Sequence, residues 1–292
     1  MTERKLNMKI GLLMPFTEYT ANPAAFARKA EQLGFESLWI PEHPILPVNP
    51  KTLFPATNGP IPKVYSQMCD PFVALSMAAA VTTKLRVATG ICLVPERNAI
   101  VTAKQVATLD AFSGGRFLFG IGAGWLREES EIFGVDFPRR WTQTAECIAA
   151  MRELWSKDEA SFEGKYVKFS PVRCNPKPIQ QPGPPVLIGS LDKNALKRVA
   201  KWADGWCPIG VPHGYLKNKL DELRRECDAA GRDFAKLDIT TMGFIQGDRA
   251  AVQAGLEQYG KAGTHRFVIG VQNQLKPDQY EAELTRLASL YV

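Results

Sequence analysis

The chain has 292 residues, 45% of them hydrophobic and 23% charged, with 23 glycines and 21 prolines; these are the proportions of a globular, enzyme-sized protein and exclude a disordered or collagen-like chain. The formal charge, 36 basic residues less 30 acidic, is +6, too weak to argue a nucleic-acid partner. Length alone admits two domains of about 150 residues or one α/β barrel of roughly 250.

The order of elements decides between them. Lys9 to Met14 is a short apolar run of β type, and Asn22-Pro23 then opens a helix with a capping Asn and a proline at its first position. Phe26, Ala30 and Leu33 recur at helical spacing, and Gly34 stops the helix. A second strand follows at Ser37 to Ile40. From Pro41 to Pro71 the chain carries eight prolines and reads as a long irregular excursion, of the kind that serves as a lid or binding loop. A helix near Phe72 to Val81, a third strand at Leu85 to Ile91 and a helix from Asn98 to Leu109 come next, then a fourth strand at Arg116 to Ile121.

An insertion over 124–184 follows, with a helix carrying Ile148, Met151 and Trp155 on one face and a hairpin around Glu163-Gly164. Pro185 to Ile188 resumes the pattern as the fifth barrel strand. Four further helical stripes begin at Leu196, Leu216, Val252 and Tyr280, and strands are expected near Gly205 to Cys207, Leu237 to Met242 and Arg266 to Ile269. Eight alternations with crossover helices predict parallel strands closed into a (β/α)8 TIM barrel, one domain over 1–292, with insertions after strands 2 and 4. A doubly wound open sheet is the competing fold.

The longest uncharged apolar-leaning run, Pro71 to Thr83, falls short of the roughly 20 residues that span a bilayer. Met1 to Asn7 lacks the apolar stretch of a secretory leader, so a cytoplasmic protein with no membrane partner is expected. The six cysteines stand at least 20 residues apart, which gives no disulfide framework and no metal clip.

A barrel keeps its chemistry at the carboxyl ends of its strands. Glu42-His43 stands there after strand 2, and the neutral-range pKa of histidine suits proton transfer or a hydrogen bond to a redox ring; a packed histidine bonded to backbone is the plainer reading. Gly120 to Trp125, with three glycines, is poor as a dinucleotide fingerprint, because acidic residues follow it and the turn is the fourth rather than the first. It reads better as a turn bringing backbone close to a planar ligand. Gly189-Ser190 precedes the next helix, where Ser190 can act as N-cap and free amides can receive a phosphate. Between Glu163 and Lys201, eight basic residues against Glu163 and Asp192 concentrate a surplus of +6 around that turn, which favours an anionic ligand.

Taken together, Glu42-His43, the run Thr89 to Asn98, the run Ser113 to Trp125, Gly189-Ser190 and Ala203 to Trp206 resemble the bacterial luciferase-like superfamily over essentially the whole chain. Within it, Gly124 to Glu129, Phe133 to Val135 and Leu154-Trp155 look most like the oxidoreductases that use the deazaflavin coenzyme F420. The resemblance implies a flavin-like ring against a strand-3 bulge near Thr89, Gly90 and Ile91, often with a non-prolyl cis peptide. It implies His43 near ring and substrate, Cys92 and Asn98 lining the ring pocket, and Gly189-Ser190 on the cofactor phosphate; Glu42 is expected either to orient His43 or to be solvated, and Gly122 and Gly124 to belong to the turn that brings backbone close to the ring. It also implies a homodimer. Trp125 replaces the glutamate of the sugar-phosphate dehydrogenase branch, so it falls in the substrate pocket and that branch's substrate is not carried over. Hydride transfer from reduced F420 to an organic substrate is the expected activity. The alternatives are an FMN-dependent monooxygenase fed reduced flavin by a partner reductase, and a non-catalytic flavin carrier.

Overall fold

The computed structural model describes residues 8–271 and 275–292; the segment 1–7, on which the expectation about a secretory leader falls, lies outside them. Eight parallel strands close into a barrel in the order β1 (Lys9–Leu13), β2 (Ser37–Ile40), β3 (Arg86–Leu93), β4 (Phe117–Gly122), β7 (Val186–Ile188), β8 (Gly205–Trp206), β9 (Asp238–Gly243) and β10 (Arg266–Gly270), with β10 returning to β1. Closure with parallel pairing removes the open sheet from consideration.

Helix boundaries follow local chemistry. Asn22 accepts hydrogen bonds from the N–H groups of Ala24 and Ala25 and starts α1 (Pro23–Gln32). Asp70, with Pro71 behind it, caps α2 (Pro71–Ala80), and Asn98 caps α3 (Ala99–Ser113), which Gly114 ends in the left-handed region. Between β4 and β7 lie α4 (Arg127–Ile132), α5 (Arg140–Ser156) and the antiparallel pair β5 (Ala160–Glu163) and β6 (Lys168–Val172). The hairpin turn thus spans 164–167, just beyond Glu163-Gly164. The helix carrying Ile148, Met151 and Trp155 is the barrel's own crossover rather than an inserted element: α5 packs on α3, and the Trp155 indole donates to the Ala103 carbonyl at 3.0 Å. The remaining crossovers are α6 (Ala195–Trp202), α7 (His213–Ala229), α8 (Arg249–Ala262) and α9 (Tyr280–Tyr291).

Two packed zones hold the barrel. The larger lies between strands and helices; the smaller fills the barrel interior with Trp39, Ala88, Leu118, Leu187, Cys207, Met242 and Val268. Below that layer, buried Arg266 bonds Glu36 and Asp238, which satisfies its charge where water is excluded. This network lies at the amino ends of the strands.

The carboxyl face is shaped by an irregularity in β3. Its register against β4 shifts between Thr89 and Cys92, and the Gly90–Ile91 peptide is cis. The bulge presses on β4 so closely that a Cβ on Gly120 would stand 2.1 Å from the Thr89 carbonyl oxygen, and one on Gly122 would stand 2.1 Å from Ile91 Cδ1. Gly120 and Gly122 therefore make room for the neighbouring strand.

Candidate active site

A cavity of about 630 Å³ opens at the carboxyl end of the barrel, a size typical of small-molecule sites. Seven strands contribute at or just past their ends: Leu13, Pro41 to His43, Gly90 with Ile91 and Leu93, Trp125, Gly189, Cys207 with Ile209, and Gly270 with Val271; Met242 of β9 adds the eighth. Val64, Tyr65 and Met68 of the Pro-rich excursion complete the wall, so this loop does cover the mouth. It is fastened from below by Glu128 of α4, which accepts from the N–H groups of Lys51 and Thr52 and from the Thr52 hydroxyl at 2.7 to 3.0 Å. Burial works upward on the Glu128 carboxyl, but those three donors outweigh it and hold it down to about 2.

His43 is buried in the cavity wall, and its Nδ1 lies 2.6 Å from Oε2 of Glu129, which is wholly buried. The contact fixes the ring and leaves Nε2 without a protein partner among the described residues. A carboxylate on one imidazole nitrogen fixes the ring and aims the other nitrogen, an arrangement suited to giving and retrieving a proton. Around it stand Tyr65 and Trp125, with ring centroids 4.9 and 5.4 Å from that of His43, and Phe54 packs edge-on to both. These rings shield the imidazole from water.

Glu42 does not orient His43, nor is it solvated. Its carboxylate accepts from the Leu93 N–H at 2.8 Å and from Arg97 Nε at 2.6 Å, while Arg97 also reaches Asp70 and lies over the Phe72 ring. The pair ties the end of β2 to the end of β3 and to the cap of α2, holding the cavity floor. Arg97 is kept firmly protonated: desolvation acts against its charge, but the hydrogen bonds and charge of Glu42 outweigh it.

A second acid, Glu96, is buried behind this group, accepting from the Ser130 hydroxyl at 2.7 Å. Burial, reinforced by the charges of Glu129 and Glu42, pushes its carboxyl up to about 8. One oxygen of Glu96 and one of Glu129 have no hydrogen-bond partner. Gly124 explains itself here: at φ +80, a Cβ would meet Glu96 Oε1 at 2.7 Å and Ser130 Oγ at 3.0 Å.

The other expected site residues divide. Gly90, Ile91, Trp125 and Gly189 line the cavity. Thr89 spends its hydroxyl on the Gly120 carbonyl. Cys92 points into the core between strands and helices, its thiol pushed well up by burial, and Asn98 is exposed at the cap of α3; neither borders the cavity, because alternation along β3 turns Cys92 away from the bulge face. Ser190 is not the cap of α6, which begins at Ala195. Its hydroxyl donates to Asp192, whose carboxylate is gripped by Arg198. The N–H groups of Ser190, Leu191 and Lys193 make no hydrogen bond among the described residues. The basic stretch is less convergent than its sum suggests: Lys168 pairs with Glu163, Arg173 with Glu159, and Lys177 caps backbone carbonyls of α5. Lys193 and Lys197 remain exposed and have no acid partner among the described residues. Glu129, Glu96, Tyr65 and Phe54 escape a reading from sequence; the only signal was Glu128-Glu129 in the turn of helix after the glycine run.

No group of His, Cys, Asp and Glu side chains among the described residues could hold a metal ion, and no helix there is long and apolar enough to cross a membrane. Residues 8–290 match the family model described as luciferase-like monooxygenase, and the chain belongs to that family. It is 41% identical over 271 residues to an uncharacterized protein of Mycobacterium tuberculosis, covering 85% of this chain and 95% of the relative. Over 237 residues it is 28% identical to an F420-dependent glucose-6-phosphate dehydrogenase of Kineococcus radiotolerans, covering 79% and 65% respectively. Among solved structures, the monooxygenase RslO1 of Streptomyces bottropensis superposes with a TM-score of 0.75 at 21% identity, covering 97% of this chain and 98% of that one.

Proposed function

We propose that this member of the luciferase-like family is an oxidoreductase that transfers a hydride between reduced coenzyme F420 and an organic substrate, with His43 as the proton donor. The observation that carries the reading is the Glu129–His43 pair, buried at the rim and facing an apolar floor at the β3 bulge. The residues present fit the coenzyme. Gly90, Ile91, Leu93, Cys207 and Met242 offer a flat apolar surface to a planar ring, and a Cβ on Gly189 would intrude to 2.6 Å from Ile91 Cγ2. The free N–H groups at 190, 191 and 193, beside Arg198, would receive the phosphate, and the unpaired Lys193 and Lys197 suit an acidic tail.

When bound, the coenzyme supplies the hydride. His43 supplies the proton: Nε2–H donates to the substrate oxygen as negative charge develops there, and Glu129 compensates the imidazolium before transfer. Tyr65, Trp125 and Phe54 exclude water, and Glu42 with Arg97 keeps the floor in register. We further assign the protein to the cytoplasm, where its six free cysteines stay reduced, with a separate enzyme renewing the reduced coenzyme.

Titration of the protein with F420 and with FMN, followed by fluorescence, tests the coenzyme; tighter binding of FMN would shift the reading to a flavin monooxygenase. His43→Ala should slow single-turnover oxidation of reduced F420 by about 100-fold and change coenzyme affinity far less. Unchanged turnover with lost affinity would make His43 a binding residue and overturn the assignment.

A further inference from the structure

The cavity wall carries information about the substrate that the reaction type does not. Leaving aside the floor, the substrate would be surrounded by Pro15, Pro41, Val64, Tyr65, Met68 and Trp125. No lysine or arginine lines this space among the described residues. Glu42 is the one acid that lines it, and Arg97, which balances that charge, does not border the cavity. Behind His43 stands a second carboxylate, Glu129, so an imidazolium at His43 is already paired. An anionic substrate would therefore lose its hydration against apolar rings, come near two carboxylates and find no unpaired cation.

Besides Glu42, two polar side chains line the space. One is His43, whose Nδ1 is taken by Glu129 and whose Nε2 makes no hydrogen bond among the described residues. The other is Tyr65, whose hydroxyl makes none there either, and whose burial pushes its pKa up, so that it stays a donor at neutral pH. Tyr65 and Phe54, 5.2 Å apart, and Trp125, 6.0 Å from Tyr65, pack edge to face into a continuous wall. An aromatic wall with two adjacent donors accepts an apolar body that ends in one acceptor oxygen.

We infer that the substrate is an uncharged carbonyl compound with an apolar body, its oxygen held between His43 and Tyr65 and its body laid against Tyr65 and Trp125, which Phe54 backs, and that phosphorylated or carboxylated substrates are excluded. This rests on the hydride-transfer reading. The step balances: the hydride adds to the carbonyl carbon, the C=O π pair moves to oxygen, that oxygen takes the proton from His43, and the reduced coenzyme loses two electrons. The substrate leaves as the alcohol.

The test uses two aryl ketones of similar shape, neutral acetophenone and anionic benzoylformate, with glucose 6-phosphate as a third probe. Calorimetric titration of the coenzyme-free protein needs no turnover, so it judges the wall independently of the reaction. Acetophenone should bind at least about tenfold more tightly than either anion. Trp125→Ala should weaken it by about fivefold or more, and Trp125→Arg should bring benzoylformate to parity or better. Benzoylformate or glucose 6-phosphate binding the unmodified protein as tightly as acetophenone overturns the inference, as does the absence of acetophenone binding at about 10 mM. Acetophenone binding at the wall without oxidation of reduced F420 leaves the inference standing and counts against the coenzyme reading alone.

Discussion

Replacing Glu96 by glutamine should make the protein more stable, and increasingly so as pH rises. Glu96 is buried with Glu129 and Glu42 near it, and its carboxyl is pushed up to about 8 from an ordinary 4.5 by burial and then by the Glu129 charge. The folded protein thus holds a proton that the unfolded chain releases above pH 4.5. Its contribution to stability is fully present below pH 4.5 and is lost progressively until about pH 8, where the folded state releases the proton too. At about 1.4 kcal/mol per pH unit, the loss reaches about 5 kcal/mol across that window. Glutamine mimics the protonated acid: its carbonyl can still accept from Ser130, and its amide can donate toward the unpartnered oxygen of Glu129. Urea unfolding of both proteins at pH 5, 6.5 and 8 gives the difference directly, because groups common to both cancel. Glu96→Gln should gain about 1.4 kcal/mol on the parent for each pH unit. A difference that stays flat across this range would show that Glu96 is ionised in the fold and that the charge accounting behind His43 is wrong.

Two further outcomes follow from the loop and the outer helices. Glu128 is held low by donors from Lys51 and Thr52, so its grip on the Pro-rich loop is present above pH 4.5 and lost as pH falls toward 2; at neutral pH, Glu128→Gln should mimic that loss and speed tryptic cleavage after Lys51 by about tenfold. An unchanged cleavage rate would mean that the loop is held by its aromatic contacts alone. Along α3, Val101 and Phe112 are 56% and 84% exposed on one face, an apolar surface that we propose pairs two copies of the chain, as the family resemblance implies; Phe112→Glu should raise the dimer dissociation constant at least tenfold by sedimentation equilibrium, and a monomeric parent protein would refute the assignment.

Most of the barrel was legible because parallel strands and crossover helices write their periods locally. Asn22-Pro23, Asp70-Pro71 and Asn98 announce helix starts within a few residues, and each caps as its chemistry dictates. Position along a strand was legible as well, which is why Glu42-His43, Gly90-Ile91, Trp125 and Gly189 were all expected at the carboxyl rim. Orientation was not. Adjacent residues of an extended chain face opposite ways, so Glu42 and His43 share an address and have different partners, and Cys92 belongs to the core although Ile91 lines the cavity. Ser190 misled for a related reason: a short polar side chain after a strand can cap a helix or close a turn of its own, and here Asp192, two residues on, takes its hydroxyl.

The partner of His43 lies 86 residues away, and no periodicity connects such a pair. What the sequence does carry is a departure from ordinary surface chemistry. Glu128 and Glu129 sit in the first turn of α4, where acids favour the helix dipole and are normally solvated. The fold separates them: Glu128 reaches out to fasten the loop, and Glu129 is drawn into the wall beneath His43. One short helix therefore holds both the Pro-rich loop and the carboxylate that fixes the His43 ring. At Gly124, just before that helix, the chain passes so close to Glu96 and Ser130 that a Cβ would clash with both.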